Sequence, residues 1–176
     1  MSELSELLRH NRWANARVFK VCQAADPAVL LETAEGTLGT AMETLAHMVS
    51  VEEGFGTMIG AALGDSFEFL VKPDGLQDGY FDHDVAWFAA RVAALDGFFE
   101  TAVGGADDEA RGREIHVPWL DFPMTVGKGA TQVLVHNAHH RSQVFSVLGE
   151  RGVKVPDLDY VVMLAKEAKE QTPTPS

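Results

Sequence analysis

An all-α fold, a four-helix bundle with long connections and a short C-terminal helix, is what this sequence predicts. Three observations predict it. Four long stretches repeat apolar residues at three- and four-residue intervals, the spacing of an amphipathic helix. Two long connections, rich in Gly, Pro and Asp, separate them. The fourth stretch carries a pair of histidines on its apolar stripe, and bundle interiors are where helices facing one another build polar or metal sites.

The first helix is expected over residues 3 to 23, with Leu4, Leu7, Leu8, Val18 and Cys22 on one face. It ends before Asp26-Pro27, because proline disfavours helix at the residue preceding it. Its stripe also holds Asn11 and Asn15, one turn apart. A buried amide left without partners costs roughly 1–3 kcal/mol, so the pair reads as a polar clasp between helices in preference to a substrate contact.

The second helix is expected over 36 to 62, with Ala41, Met48, Phe55 and Ile59 central to its apolar arc and Leu38, Leu45 and Val49 along one edge. His47 falls on the other edge, a position that periodicity alone leaves between buried and exposed. Glu52 projects near Leu45 and Val49 as an interior carboxylate, which requires a partner or a raised pKa. Residues 64 to 79 read as a long connection.

The third helix is expected over 81 to 101, where Phe81, Val85, Phe88, Val92, Leu95 and Phe99 keep step, with His83 facing solvent. Residues 103 to 128 break the rhythm. Ile115-His116-Val117 and Phe122 to Val126 suggest a short hairpin, whose tip places Trp119 to cover a site. The fourth helix spans 129 to 149 and stops at Gly149 or Gly152, and a final helix spans 157 to 169. One domain, residues 1–168, accounts for the chain, and the polar tail from 169 to 176 is expected to be disordered.

Composition narrows the function classes. With 14 basic residues against 26 acidic ones and a net charge of -12, the chain lacks the cationic surface that binds nucleic acid. No segment is long and apolar enough for a bilayer, the N-terminus lacks the features of a signal peptide, and the single Cys22 excludes an internal disulfide. A soluble, cytoplasmic protein with no membrane or nucleic-acid partner is the expectation. Cys22 lies in the first stripe and reads as a packed, unreactive thiol.

His136 and His140 carry the chemistry. At about 100° per residue they share one side of the fourth helix with Val133, Val144 and Val147, so both rings point inward from successive turns. Two neutral imidazoles side by side compete for partners unless an ion takes one nitrogen from each. His139 is turned roughly 100° from His140 and belongs at the flank. Spacing supplies two ligands and leaves open whether an ion or ordinary hydrogen bonds satisfy them.

The run His136-Asn137-Ala138-His139-His140-Arg141-Ser142-Gln143, followed by Gly152 and Pro156-Asp157-Leu158-Asp159-Tyr160, resembles the signature of the DinB/YfiT-like family. Asn11-Arg12-Trp13-Ala14-Asn15 resembles the first helix of that family, and Leu45-Ala46-His47 with Glu52 and Phe55 resembles its second. The resemblance covers about residues 8 to 160. It implies an up-down-down-up bundle, often a homodimer, holding a divalent metal through His47, His136 and His140. Ser142 departs from the glycine usual at that position, which touches local helix packing and leaves the triad in place.

Three imidazoles leave an open coordination position, the mark of a catalytic site. Zinc suits them best, and nickel, iron or manganese are compatible. The resemblance implies a metal-dependent enzyme acting on a small molecule, as a low-molecular-weight thiol S-transferase or a small amide hydrolase. The alternative is a metal-binding, stress-related protein without turnover. Glu52 is the candidate general base or ring-orienting partner, Arg141 the candidate for an anionic substrate group, although an arginine beside a helix face is more often a structural salt-bridge partner, and His139, Asn11 and Asn15 the candidates for supporting the ligands from behind.

Overall fold

A computed structural model describes residues 2–72, 75–76 and 80–170. The order of elements is α1 (Glu3–Ala24), α2 (Pro27–Leu30), α3 (Ala41–Leu63), β1 (Val71–Lys72), β2 (Gly75–Leu76), a 3-10 turn (Tyr80–Asp82), α4 (Val85–Phe98), α5 (Asp108–Arg111), β3 (Glu114–Val117), β4 (Phe122–Thr125), α6 (Val126–Glu150) and α7 (Tyr160–Glu170). The last turn of α4 continues through Phe99–Val103 as π-helix.

The four long helices α1, α3, α4 and α6 form the bundle, and the two halves of the core fix their directions. One half gathers Leu8 of α1, Phe55 and Ile59 of α3, Phe98 of α4, and Val126, Ala130 and Val133 of α6. The other gathers Val18 and Cys22, then Leu45 and Val49, then Phe88 and Val92, then Val144 and Leu148. So α1 and α6 run one way and α3 and α4 the other, which is up-down-down-up. Because α3 and α4 are parallel, the chain between them must return the length of the bundle, and this is why residues 64–84 form a long connection. Within it, Phe69 lies across α3, its ring where a Cβ on Gly56 or Gly60 would stand.

Several boundaries differ from the sequence expectation, each for a local reason. The second long helix begins at Ala41, not 36, because Thr40 caps it in a reciprocal box with Glu43. Leu38 therefore stays in the preceding loop and is exposed. The third begins at Val85 on the cap of Asp84, which leaves Phe81 in the 3-10 turn, 55% exposed and outside the stripe. Leu7 is also exposed. The fourth starts at Val126 on a Thr125 cap, three residues early, and the last starts at Tyr160. The hairpin exists as β3 and β4 in antiparallel register, Glu114 opposite Thr125 and Val117 opposite Phe122. Of the tail expected to be disordered, residues 171–176 lie outside the described residues. His83 is exposed and stacks on Trp87, and Cys22 is buried with its thiol pushed up to about 12 by burial.

Candidate metal centre

α3 and α6 pack antiparallel, and their seam brings His47 of α3 against His136 and His140 of α6. One nitrogen from each of the three rings lies within 4.8 Å of the others. Nε2 of His136 is 3.1 Å from Nε2 of His47, close to the roughly 3.3 Å that separates two nitrogens bound at about 2.0–2.1 Å to one tetrahedral zinc ion. His140 is buried, while His47 and His136 are half-buried. The cluster thus sits at the edge of the core with a side open to solvent.

The third ring is held by a residue the sequence reading passed over. Nδ1 of His140 is 2.7 Å from Oε1 of Gln143, and Nε2 of Gln143 donates to the carbonyl of Gly36. Since the amide nitrogen of Gln143 is spent on Gly36, its oxygen faces His140, and Nδ1 of that ring must carry the hydrogen. The Nε2 lone pair of His140 is then free for an ion, the usual division of labour in a ligand histidine. Replacing Gln143 with Leu is expected to weaken metal affinity about 10- to 100-fold while leaving the helix content unchanged, measured by competition against a chelating dye.

All three imidazoles are biased toward the neutral form. Burial lowers the pKa of His47 and of His140. His136 is pushed down to about 4 by burial and then by repulsion from His140 and His47. Among the described residues, the cluster of potential ligands contains no carboxylate that would stabilise an imidazolium. Rings that face one another through nitrogen and resist protonation suit a cation that accepts lone pairs.

A pH dependence follows. A histidine with a depressed folded pKa contributes stability that is present above its unfolded value, about 6.5, and lost as pH falls through its folded value. In chelator, the wild type should therefore lose more stability between pH 7 and pH 5 than a protein carrying His47→Gln, His136→Gln and His140→Gln together. Urea denaturation at the two pH values reads the difference, and equal losses would contradict it.

Behind the triad lies a buried polar network. Asn137, fully buried, donates to Oε2 of fully buried Glu52 at 2.8 Å. Burial, and then the charge of Asp96, raise the pKa of Glu52 well above the usual carboxylate range. Nη1 of Arg141 donates to Oδ1 of Asn11 at 2.6 Å and of Asn15 at 2.7 Å. The amide nitrogens of Asn11 and Asn15 both donate to Asp96 of α4, and burial raises its pKa to about 7. Burial also lowers the pKa of Arg141 to about 10.

This geometry sorts the residues singled out in the sequence. His47, His136 and His140 come together. Asn11 and Asn15 clasp α1 to α4 and α6, and their recorded hydrogen bonds are with Arg141 and Asp96 and not with the triad. Arg141 lies in this interior clasp and not beside the triad. Glu52 is closed off from solvent, with Asn137 between it and His136, which suits positioning and not proton exchange with a substrate. His139 is exposed, its ring 5.0 Å from that of His140. Trp119 is 60% exposed and meets Phe55 edge-on, two turns along α3 from His47.

Asn137 and Asp96 escaped the sequence reading as well. Asn137 lies about 40° from Val133 and about 20° from Val144 around α6, and Asp96 follows Val92 by one turn, so a polar residue beside or within an apolar stripe was the signal in each case.

The match to family models agrees with the geometry: residues 1–172 match the model described as the DinB family. The chain belongs to the DinB family. Its fold also matches that of YfiT from Bacillus subtilis, described as a probable metal-dependent hydrolase with an unusual four-helix bundle topology. That likeness has a TM-score of 0.69 at 12% identity and covers 88% of this chain and 91% of that one. No curated protein matches the sequence. Among its described residues, this DinB chain has no helix long and apolar enough to cross a membrane.

Proposed function

We propose that this DinB-family protein is a metal-dependent hydrolase of a small amide, with His47, His136 and His140 as the metal ligands. The observation that carries the reading is the convergence of three neutral imidazole nitrogens at a half-open position. The YfiT neighbour, itself described as a probable metal-dependent hydrolase, supports it. A divalent ion held there, zinc first by donor type, would supply Lewis acidity toward a carbonyl and lower the pKa of water.

The chain's own residues set the rest. Gln143 fixes the tautomer of His140, and Asn137 with Glu52 backs the helix turn that carries His136. His139, on the exposed flank with its ring 5.0 Å from that of His140, is the side chain we assign to hand a proton to the departing amine when the C–N bond breaks, after hydroxyl has added to the carbonyl carbon. Glu52 acts from behind as a positioning group.

Thiol S-transfer is the second reading. It ranks lower because an anionic thiol approaching a protein of net charge -12 would have the bound ion alone to attract it, since Arg141, the cation adjacent to the triad in sequence, is turned into the α1 clasp. The experiment is a panel of small N-acyl amides assayed for amine release with chelated and zinc-restored protein, beside a panel of thiols with a generic electrophile. Metal-dependent amine release that His136→Ala abolishes is expected. Metal-dependent thiol consumption without amine release assigns S-transfer instead, and binding of metal without turnover in either panel assigns the non-catalytic role.

A further inference from the structure

A concavity lies on the opposite flank of α6 from the triad. It measures about 340 Å³ and is bounded by Ala138, Ser142 and Phe145 of α6, His10 of α1, and the segment from Pro156 to Tyr160. Its walls are largely apolar, through Phe145, Pro156 and Leu158. Arg141, which follows His140 by one residue and so leaves the helix about 100° away from it, also lines this cleft and not the triad.

His10, Ser142 and Tyr160 around the cleft are already engaged. His10 Nε2 meets the carbonyl of Leu158 at 2.7 Å, the Ser142 hydroxyl donates to the carbonyl of His139, and the Tyr160 hydroxyl donates to Glu6. Arg141 is different. Both of its hydrogen bonds among the described residues are made by Nη1, so its Nε and Nη2 donors meet no protein acceptor. Neither is among the polar atoms sealed from solvent without a partner, although the residue as a whole is only 5% exposed. A desolvated guanidinium with unspent donors, opening on an apolar cleft, is a receptor for a planar anion.

We propose that this cleft is a second, metal-independent binding site for a small monocarboxylate with an apolar body. The carboxylate takes the free donors of Arg141, and the body packs on Phe145 and Leu158. Asp159, exposed at the rim, repels a second negative charge and so selects against dicarboxylates. The site is independent of the hydrolase reading, because its residues share none of the triad's ring nitrogens.

Benzoate, benzamide and phthalate titrated into the full-length protein as purified, followed by amide NMR, test the proposal. Benzoate should shift the signals of Arg141, Leu158 and Tyr160, with benzamide weaker by about 10- to 100-fold, the range of one charge-assisted hydrogen-bonded pair, and phthalate weaker than benzoate. Ala138→Trp, a change at an exposed position on the cleft wall, should abolish the benzoate shifts without altering metal content. Benzoate shifts confined to the surroundings of His47 and His136 would place the carboxylate on the metal and overturn the second site. Equal binding of benzoate and benzamide would overturn the role of Arg141.

Discussion

His136→Ala is expected to leave a folded bundle that no longer retains a stoichiometric divalent ion. The three rings all meet one another, and His136 makes the shortest contacts: its Nε2 is 3.1 Å from His47, and its ring centroid is 4.3 Å from that of His140, against 4.8 Å between the centroids of His47 and His140. Losing a supporting hydrogen bond to a ligand weakens metal sites by roughly 10- to 100-fold, so losing the ligand itself should exceed about 100-fold. The side chain is half-buried, and burial, then repulsion from His140 and His47, drives its own pKa down to about 4, so its removal takes away a ring that the fold keeps from protonating. Metal-free stability should therefore hold or rise while affinity collapses. Elemental analysis and thermal melts of tag-free protein, with and without chelator, read the two effects separately. Full metal content in the variant would remove His136 from the ligand set.

Arg141→Met is expected to have the largest effect on stability, about 3–5 kcal/mol by urea denaturation, the usual penalty for removing one member of a buried charged group. Arg141 satisfies the oxygens of Asn11 and Asn15, whose nitrogens in turn satisfy Asp96. Without it, two amide oxygens lose their donors, and Asp96 and Glu52 lose the buried cation that favours their ionised forms. Adding Asp96→Asn to Arg141→Met should recover part of the loss, because it removes the stranded carboxylate. Non-additivity of the two changes is the signature of one network. Simple addition of their costs would show that the clasp is not a unit.

The bundle was legible in the sequence because its four stripes follow the helix period over many turns. Phe88, Val92 and Leu95 of α4 and Val133, Val144 and Val147 of α6 lie where periodicity puts them. Helix starts were less legible, since a cap is decided by one side chain. Thr40 with Glu43, and Asp84, moved two starts inward and left Leu38 and Phe81 outside the core. The histidine pair on α6 was legible for the same reason as the stripe. His47 was not, because it sits at the boundary of the apolar arc of α3, and only the resemblance to a family named it. Asn137, Asp96 and Gln143 were missed because each works through a contact with another helix or loop. For Arg141 the sequence left open a structural role between helices and a contact with an anionic substrate group, and its hydrogen bonds lie in the clasp with Asn11 and Asn15, since one residue along a helix from His140 turns a side chain by about 100°.

The most direct test of the account is anomalous diffraction from zinc-soaked crystals of the tag-free protein. One anomalous peak within bonding distance of Nε2 of His140 and of ring nitrogens of His47 and His136, with an open position toward solvent, is predicted. A peak elsewhere, or a His47 ring turned away from the seam between α3 and α6, would contradict it.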